Sequence, residues 1–400
     1  MKRTVVIGAG QAGASLVAKL RALGDTGEIA LIGAESAPPY QRPPLSKAYL
    51  MGEMPTERLF LRPEAFYAEQ NIDLRLGQAV TTIDTAAQTV TVDGDVLHYD
   101  DLVLTTGSVP RRLPASIGGD LDGVFTLRNL ADVDAMKPYF VAGKRVVIVG
   151  GGYIGLEGAA VAAKLGLDVT VVEMAPRILQ RVASAETSDF FRDLHTSHGV
   201  KIIEATGLER LLGEGHVTGA RLTDGREIAA DFVMVGVGIM PATALAEATG
   251  IALDNGIATD ALGRTSVPHV WAAGDCASFP TEGGRIRLES VPNAIDQAEC
   301  VAGNILGAEK PYVAEPWFWS DQYDVKLQIA GLNTGYDHIA TRRSEGAVSF
   351  WYYKGDRLLA VDAMNDPRAF MVAKRLLAMG KSPSAAVVAD AATDLKALLK

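Results

Sequence analysis

Two glycine-rich segments, each placed between a short apolar run and an Ala-rich stretch, constrain the fold of this chain more than any other feature. Both have the spacing Gly-x-Gly-x-x-Gly, the first at residues 8–13 and the second at residues 150–155. In a strand-to-helix turn, such glycines allow a tight bend and let the backbone approach a pyrophosphate closely. The sequence therefore predicts two dinucleotide-binding turns, whose glycines are Gly8, Gly10, Gly13, Gly150, Gly152 and Gly155.

The residues around both turns repeat the same order of strand, helix and strand. Short Val/Ile/Leu runs followed by helical spacing are typical of βα units in a parallel sheet. The expected strands are 4–7, 29–32, 145–149 and 168–172, and the expected helices are 11–23 and 153–165. The fold class is therefore α/β, with two Rossmann-like domains produced by one internal duplication.

A glutamate ends the second strand of each repeat, Glu35 in the first and Glu173 in the second. A carboxylate at this position can accept a hydrogen bond from a ribose hydroxyl. At Glu173 it favours the 2′-hydroxyl of NADH and repels the 2′-phosphate of NADPH. Arg177 and Arg181 follow closely and could weaken this preference. We expect NADH to be the preferred nicotinamide cofactor.

Charge and cysteine content exclude several classes of protein. The chain has 38 Lys and Arg against 48 Asp and Glu, a net charge of −10, which argues against binding nucleic acid through its phosphates. Its two cysteines, Cys276 and Cys300, are too few and too far apart for a disulfide framework, a CxxC pair or a zinc site. Redox chemistry would require a bound cofactor, and no metal site is expected.

The distribution of apolar residues argues against a membrane protein. No uninterrupted apolar run approaches the roughly 20 residues that a bilayer-spanning helix needs. Gly8, Gly10 and Gly13 interrupt the apolar stretch that follows Met1-Lys2-Arg3, which is unlike a signal peptide. The expected location is the cytoplasm.

The last part of the sequence differs in character from the two repeats. Aromatic residues cluster between Trp317 and Tyr353, and residues 347–353 have the alternation typical of a strand. Helical spacing follows from Pro367 onward. We predict a third, α+β domain that begins near residue 318.

Four separated segments, together with the two turns, carry a resemblance to a known family. They are Leu-Thr-Thr-Gly at 104–107, Ala-Gly-Asp at 273–275, Tyr-Gln-Arg-Pro-Pro-Leu-Ser-Lys at 40–47 and Phe-Trp-Ser-Asp-Gln-Tyr at 318–323. With them the whole chain resembles the FAD and NAD(P)-dependent two-dinucleotide-binding flavoproteins, in particular the ferredoxin reductases of bacterial monooxygenase and dioxygenase systems. The resemblance implies an FAD-binding domain at 1–112 and 242–317, an NAD-binding domain at 113–241 and a C-terminal domain at 318–400.

The same resemblance assigns residues to the FAD site. Asp275, after Gly274, is expected at the flavin ribityl chain, although Asp is also a common helix N-cap. The helix that begins near Val291 is expected to point its amino end at the flavin pyrimidine, although it could be an ordinary capped helix. The other residues assigned to cofactor binding are Thr106, Gly107, Gly238 and Arg42, and Arg42 could instead be a solvated loop residue.

Three residues are assigned to the place where the hydride arrives. Similar reductases place a lysine and a glutamate at the positions of Lys47 and Glu157, near flavin N5, where opposite charges would hold each other ionised. Trp319 is expected to pack beside the isoalloxazine ring. The alternatives are a structural salt bridge for the first two residues and a core aromatic between domains for Trp319.

The resemblance implies an NADH-dependent ferredoxin reductase, in which FAD takes a hydride and passes electrons singly to a 2Fe–2S ferredoxin that supplies an oxygenase. Residues 318–400 hold eleven basic against nine acidic side chains, which suits docking of an acidic ferredoxin near the flavin edge. Arg368 and Lys374 are the proposed contacts. The alternatives are a reductase for rubredoxin or another redox protein, and a redox-controlled interaction protein like apoptosis-inducing factor.

Overall fold

The computed structural model of this chain describes residues 2–400, which divide into two compact units. The first unit contains the residues up to Gln41, together with Thr56–Val109 and Met240–Pro316. The second unit contains Arg42–Pro55, Pro110–Ile239 and Trp317–Lys400. The structure thus groups most of residues 113–241 with residues 318–400 in one unit. Their division into an NAD-binding domain and a C-terminal domain stays a prediction.

The first unit is built on a five-stranded parallel sheet. Its strands, in spatial order, are Val270–Ala272, Asp101–Leu104, Arg3–Ile7, Glu28–Gly33 and Ile72–Leu76. The helices Gln11–Ala22 and Val291–Ile305 pack together on one face through Leu16, Leu20, Ala298 and Val301. Other elements of this unit are the helices Glu64–Glu69 and Ala244–Ala248 and the strands Val80–Asp84, Thr89–Val92, Asp95–His98, Ile257–Ala258, Ala277–Thr281 and Gly284–Ile286.

The second unit repeats this arrangement. Its parallel sheet has the order Lys201–Ile203, Asp168–Val172, Arg145–Val149, Phe232–Val235 and Val124–Thr126. The helices are Leu130–Met136, Tyr153–Lys164 and Ala185–Ser197, and a small antiparallel sheet contains Leu208–Leu212, Gly219–Leu222 and Glu227–Ala229. The α/β fold and the two repeats are confirmed, and both fingerprint helices end one residue before the predicted position.

The C-terminal part is an antiparallel sheet with helices, as predicted. Its strands, in spatial order, are Trp317–Gln322, Val325–Gly331, Arg357–Met364, Ala347–Lys354 and His338–Ser344, and its helices are Pro367–Ala378 and Ala385–Ala389. The alternation at 347–353 predicts a strand with one buried face, yet in the observed strand Ala347–Lys354 the residues from Val348 to Tyr353 are all buried. Trp351 and Phe370 belong to one core of this part, whereas Phe350 belongs to a core that includes Leu156. Both faces of the sheet are therefore covered within the second unit.

Hydroxyl, amide and carboxylate side chains cap several of these helices. Ser290 accepts a hydrogen bond from the backbone N–H of Asn293 and so caps the Val291–Ile305 helix. Ser184 and Asp366 cap two further helices in the same manner. Among residues 2–400, no helix is both long and apolar enough to cross a membrane.

Candidate functional site

The first fingerprint turn has the geometry of a phosphate cradle. Gly8 has a φ of +114°, and a Cβ there would lie 2.2 Å from the Thr105 carbonyl oxygen. A Cβ on Gly13 would lie 2.1 Å from the carbonyl oxygen of Gly8. Gly10 is different, because among the described residues no atom beyond its own neighbours lies within 4 Å of a Cβ built on it. Gly10 is the N-cap of the helix, so this open space lies where an anion would meet the helix amino terminus.

The second turn repeats this geometry closely. Gly150 has a φ of +106°, and its Cβ would lie 2.5 Å from the Gly236 carbonyl oxygen. A Cβ on Gly155 would again lie 2.1 Å from the first glycine's carbonyl oxygen. Around Gly152, the N-cap of the second helix, the described part of the chain again leaves the 4 Å shell open. Each unit therefore offers one place for a dinucleotide pyrophosphate.

Three segments of the first unit converge beside its fingerprint helix. A Cβ on Gly274 would lie 2.9 Å from the Cβ of Ala12 on that helix and 3.8 Å from the Cβ of Ala294 on the Val291–Ile305 helix. Asp275 follows directly, and its carboxylate accepts a hydrogen bond of 3.5 Å from Ser108. In the described chain Asp275 sits in a turn that enters the strand Ala277–Thr281, so the alternative that it caps a helix is wrong.

Thr106 and Gly107 lie where the chain leaves a buried strand of the same unit. The Thr106 hydroxyl donates to the Ala242 carbonyl over 2.6 Å, and the Gly107 carbonyl accepts from the Ala242 N–H over 2.9 Å. These bonds join the two halves of the first unit. The expected contacts of Thr106 and Gly107 with FAD stay predictions.

The two strand-end glutamates have different partners. Glu35 accepts a hydrogen bond of 2.5 Å from the Tyr40 hydroxyl. Glu173 accepts from the backbone N–H of Gly151 and of Ala175, each over 2.7 Å. Glu173 therefore positions the fingerprint turn, and its expected contact with a ribose stays a prediction.

The two arginines near Glu173 also differ. The Arg177 guanidinium donates to the carbonyl oxygens of Ala183 and Ser184 and to the Ser188 hydroxyl. These bonds direct it into its own loop, and the suggested effect of Arg177 on the NADH preference stays a prediction. Arg181 is exposed, and its Nη1 lies 3.6 Å from the place where Gly238 would carry a Cβ. Arg181 is thus the basic residue that remains available near the second turn.

Lys47 and Glu157 form an ion pair in the second unit. The Lys47 Nζ lies 2.6 Å from Glu157 Oε2, and the Glu157 side chain is 2% exposed. The Ser46 hydroxyl donates to the same oxygen over 2.5 Å, and the Ser320 hydroxyl donates to Oε1 over 2.6 Å. A buried carboxylate is stable only with such partners. The structure brings together the two predicted residues and adds two serines that the sequence analysis missed.

Trp319 and Arg42 occupy partly buried positions in the second unit. The Trp319 ring lies 5.6 Å from that of Trp317, centroid to centroid, at an angle of 31°. Arg42 donates to the Arg128 carbonyl over 2.9 Å, so it is not simply a solvated loop residue. The assignments of Trp319 to the flavin ring and of Arg42 to an FAD phosphate stay predictions.

The described part of the chain has two free cysteines, buried Cys276 and partly buried Cys300, and no metal cluster. Burial raises the pKa of the Cys276 thiol, which disfavours the reactive thiolate. Among residues 2–400, no group of three or more His, Cys, Asp or Glu side chains could hold a metal ion.

Comparisons with known proteins place both parts of the chain. A family model described as pyridine nucleotide-disulphide oxidoreductase matches residues 2–298, and a model described as reductase C-terminal matches residues 317–399. The chain is 45% identical to a ferredoxin–NAD(P)(+) reductase of Sphingomonas sp, with 93% of the chain and 92% of that protein covered. It is 42% identical to rhodocoxin reductase of Rhodococcus erythropolis, with 98% and 93% covered.

A solved structure resembles the whole chain. The putidaredoxin reductase in a covalent putidaredoxin reductase–putidaredoxin complex superposes with a TM-score of 0.96 at 40% identity, covering 100% of this chain and 98% of that one. Fold and sequence therefore agree over the full described length.

Proposed function

The chain belongs to the pyridine nucleotide-disulphide oxidoreductase family, and we propose that it is an FAD-dependent NADH:ferredoxin reductase. The observation that carries the proposal is the pair of equivalent glycine cradles, one in each unit. Two dinucleotide sites in one chain serve hydride transfer between two cofactors. The named relatives, which include a ferredoxin–NAD(P)(+) reductase, support an electron-transfer protein as the acceptor.

The residues of the first unit fit FAD. The open space at Gly10 and the amino end of its helix would hold the pyrophosphate, and Glu35 would hold a ribose hydroxyl. Asp275 would meet the ribityl chain, and the capped amino end at Val291 would favour negative charge on the flavin. When bound, FAD would take up two electrons as a hydride and release them one at a time.

The residues of the second unit fit NADH. Gly152 leaves room for the pyrophosphate, and Glu173 presents a carboxylate to the adenine ribose. We assign Lys47 and Glu157 to positioning and to electrostatic tuning of the reacting ring, since the buried Glu157 carboxylate is fixed by Lys47 and two serines. Trp319 would exclude water beside them.

The partner in this proposal is a 2Fe–2S ferredoxin that serves a monooxygenase or dioxygenase, in the cytoplasm. The covalent complex of the similar putidaredoxin reductase with putidaredoxin supports docking of such a protein. On this chain Arg368 is exposed at the start of the Pro367–Ala378 helix, and Lys374 lies 4.9 Å over the Trp317 ring. A basic helix face of this kind would steer an acidic partner.

The decisive experiment measures NADH-dependent reduction of cytochrome c by the FAD-loaded protein, with and without a series of 2Fe–2S ferredoxins. Saturable stimulation by one ferredoxin would establish the function and identify the partner. A flavin that NADH bleaches without stimulation by any ferredoxin would move the assignment to another acceptor, and rubredoxin is the first to test. Slow reoxidation with a change of oligomeric state would favour a redox-controlled interaction protein.

The docking surface has its own test. Arg368→Glu and Lys374→Glu are each expected to raise the KM for ferredoxin by roughly two- to fivefold, because rim charges act mainly on the association rate. The rate of flavin reduction by NADH should not change. Lys201→Glu, which makes the same change in net charge on an exposed strand of the NAD-binding part, serves as the control. Identical KM values for all variants at low salt would contradict this surface.

A further inference from the structure

Glu157 is the end of a chain of buried side chains joined by hydrogen bonds. Beyond Ser320, which bonds Glu157, the Gln322 Nε2 lies 3.2 Å from the Ser320 Oγ. The Gln322 Oε1 lies 2.7 Å from the Nε2 of His195, and the Tyr323 hydroxyl lies 3.2 Å from His195 Nδ1. Glu157, Ser320, Gln322 and His195 are all at most 2% exposed.

Three elements of the second unit supply this chain. Glu157 lies on the fingerprint helix Tyr153–Lys164, and His195 lies near the end of the helix Ala185–Ser197. Ser320 and Gln322 are two residues apart on the strand Trp317–Gln322, so they share one face of the sheet. The fold thus places a strand of the C-terminal part between two helices of the NAD-binding part.

In each of these hydrogen bonds the acceptor is the partner nearer to Glu157 along the series. The Gln322 amide donates to Ser320, so its carbonyl oxygen faces His195, and His195 must carry its proton on Nε2. His195 Nδ1 is then an acceptor for the Tyr323 hydroxyl. Burial lowers the pKa of His195 to about 4, which agrees with a neutral ring. Because Gln322 occupies the Ser320 oxygen as a donor, the single Ser320 proton is directed to the Glu157 carboxylate.

We infer that Gln322 and His195 are positioning residues for the Lys47–Glu157 pair, and through it for hydride transfer. Neither needs to touch a cofactor. They hold the Ser320 proton on Glu157, so the carboxylate keeps its orientation toward Lys47. This inference rests on the proposed function, because it assigns the ion pair to the step in which NADH reduces the flavin.

The test compares variants that interrupt this series of hydrogen bonds with variants that keep it. Gln322→Met and His195→Phe break it, whereas His195→Gln retains an amide N–H that can donate to Gln322. His198→Phe is the matched control, because His198 stacks on Tyr323 at 3.7 Å, while its Nδ1 lies 2.8 Å from the carbonyl of Leu194 on its own helix. Stopped-flow bleaching of the flavin by NADH gives the limiting rate and the apparent Kd, while FAD content and Tm report folding.

We expect Gln322→Met and His195→Phe to lower the limiting rate by about three- to tenfold, which corresponds to the net contribution of one ordinary hydrogen bond. The apparent Kd for NADH should stay within about twofold, since the nucleotide cradle is untouched. His195→Gln should recover most of the rate, and His198→Phe should match the wild type. Chain-breaking variants that lose only Tm or FAD content while keeping the wild-type limiting rate would overturn the inference.

A second measurement on the wild-type holoenzyme remains informative if the variants do not fold. The polar and titratable groups around the His195 ring are Gln322, Tyr323 and His198. Nitrogen-15 NMR should show that the ring is neutral and protonated on Nε2 from pH 5.5 to 8. A proton on Nδ1, or titration within that range, would overturn the inference. If NADH does not bleach the wild-type flavin, the proposed function itself fails, and that result is distinct from either outcome of the NMR measurement.

Discussion

The two fingerprint turns have nearly the same backbone, but their helices carry different side chains one turn further on. In both turns the third glycine packs equally closely on the first, and the second glycine faces open space. Seven residues after the first glycine, the first helix has Ser15 and the second has Glu157. Ser15 accepts one hydrogen bond of 3.3 Å from Gln11, whereas Glu157 is buried with Lys47 and two serines.

On the proposed function, this difference separates cofactor binding from the hydride-transfer step. The repeated backbone supplies the phosphate cradle in both units, and local sequence is enough to build it. Of the two fingerprint helices, the second carries the charged pair, because Lys47 and Ser320, which lie outside the repeat, bind Glu157. A duplicated fold can therefore take on two roles without changing its cradle.

The largest expected effect comes from closing each cradle in turn. Gly10→Val should abolish stable FAD binding, since it fills the pyrophosphate space and removes several N–H contacts to phosphate, a loss of at least about a hundredfold in affinity. Gly152→Val should retain FAD and lose saturation by NADH. Both glycines have extended φ values of −94° and −81°, so the backbone accepts valine.

The measurement is the flavin absorbance that remains after gel filtration, followed by titration with NADH. The Tm of each variant's apoprotein should equal that of the wild-type apoprotein. Equal loss of FAD in both variants would show that the two cradles do not bind separate dinucleotides.

The next largest effect concerns the ion pair that distinguishes the second repeat. Lys47→Ala should slow flavin reduction by NADH on the order of a hundredfold, because it leaves the buried Glu157 carboxylate without its cation. FAD content should be unchanged. Lys47→Arg, which keeps the charge, should recover part of the rate. An unchanged single-turnover rate in Lys47→Ala would remove this residue from the mechanism.

A smaller effect, on the choice between NADH and NADPH, is expected from substituting Glu173. Glu173→Gln should narrow the preference for NADH over NADPH by about tenfold, because it removes the repulsion of a 2′-phosphate. It should also raise the KM for NADH, since Glu173 accepts from the N–H of Gly151 and of Ala175. Steady-state kinetics with both cofactors measure this. An unaltered ratio of kcat/KM for NADH and NADPH would show that another group, with Arg181 the first candidate, sets the selectivity.

The last effect, on stability and not on the reaction, comes from another buried carboxylate, Asp362, which lies next to the second repeat. Asp362 accepts from Thr187 over 2.7 Å and from Tyr352, and burial raises its pKa to about 6. Between its ordinary value of 3.8 and about 6, the folded state keeps a proton that the unfolded state releases. The contribution of Asp362 to the free energy of unfolding therefore falls as pH rises through this window, by on the order of 3 kcal/mol.

Asp362→Asn removes this titration. The Tm of Asp362→Asn minus the Tm of the wild type should be a few degrees higher at pH 7.5 than at pH 4.5. Differential scanning calorimetry at both pH values measures the change, and the comparison cancels the titration of all other groups. A Tm difference that is independent of pH would contradict the shifted pKa.

The elements of both repeats could be predicted from the sequence because their signals are local. A strand, a glycine turn and a helix follow one another within about 20 residues, and the strands at 145–149 and 168–172 have the predicted bounds. The environment of Glu157 could not be predicted in this manner. Ser46 and Ser320 lie 111 and 163 residues away, and a single serine in a loop or strand has no distinguishing signal.

Arg177 also shows that side-chain partners cannot be predicted from position in the sequence. Its position four residues after Glu173 indicated an effect on cofactor choice, but its guanidinium bonds the carbonyl oxygens of Ala183 and Ser184. Proximity along the chain does not determine which way a long side chain turns. The carbonyl oxygens at a helix start decided it.

The sequence by itself determined the α/β class, the duplicated cradle and the charged residues available for chemistry. These follow from residue types at short spacing, where backbone geometry leaves few alternatives. Tertiary structure alone decided that Glu157 is buried, that two serines bind it beside Lys47, and that Gln322 and His195 extend its hydrogen-bond chain. The reason is that a buried charge depends on partners from distant segments, and only the folded chain brings those segments together.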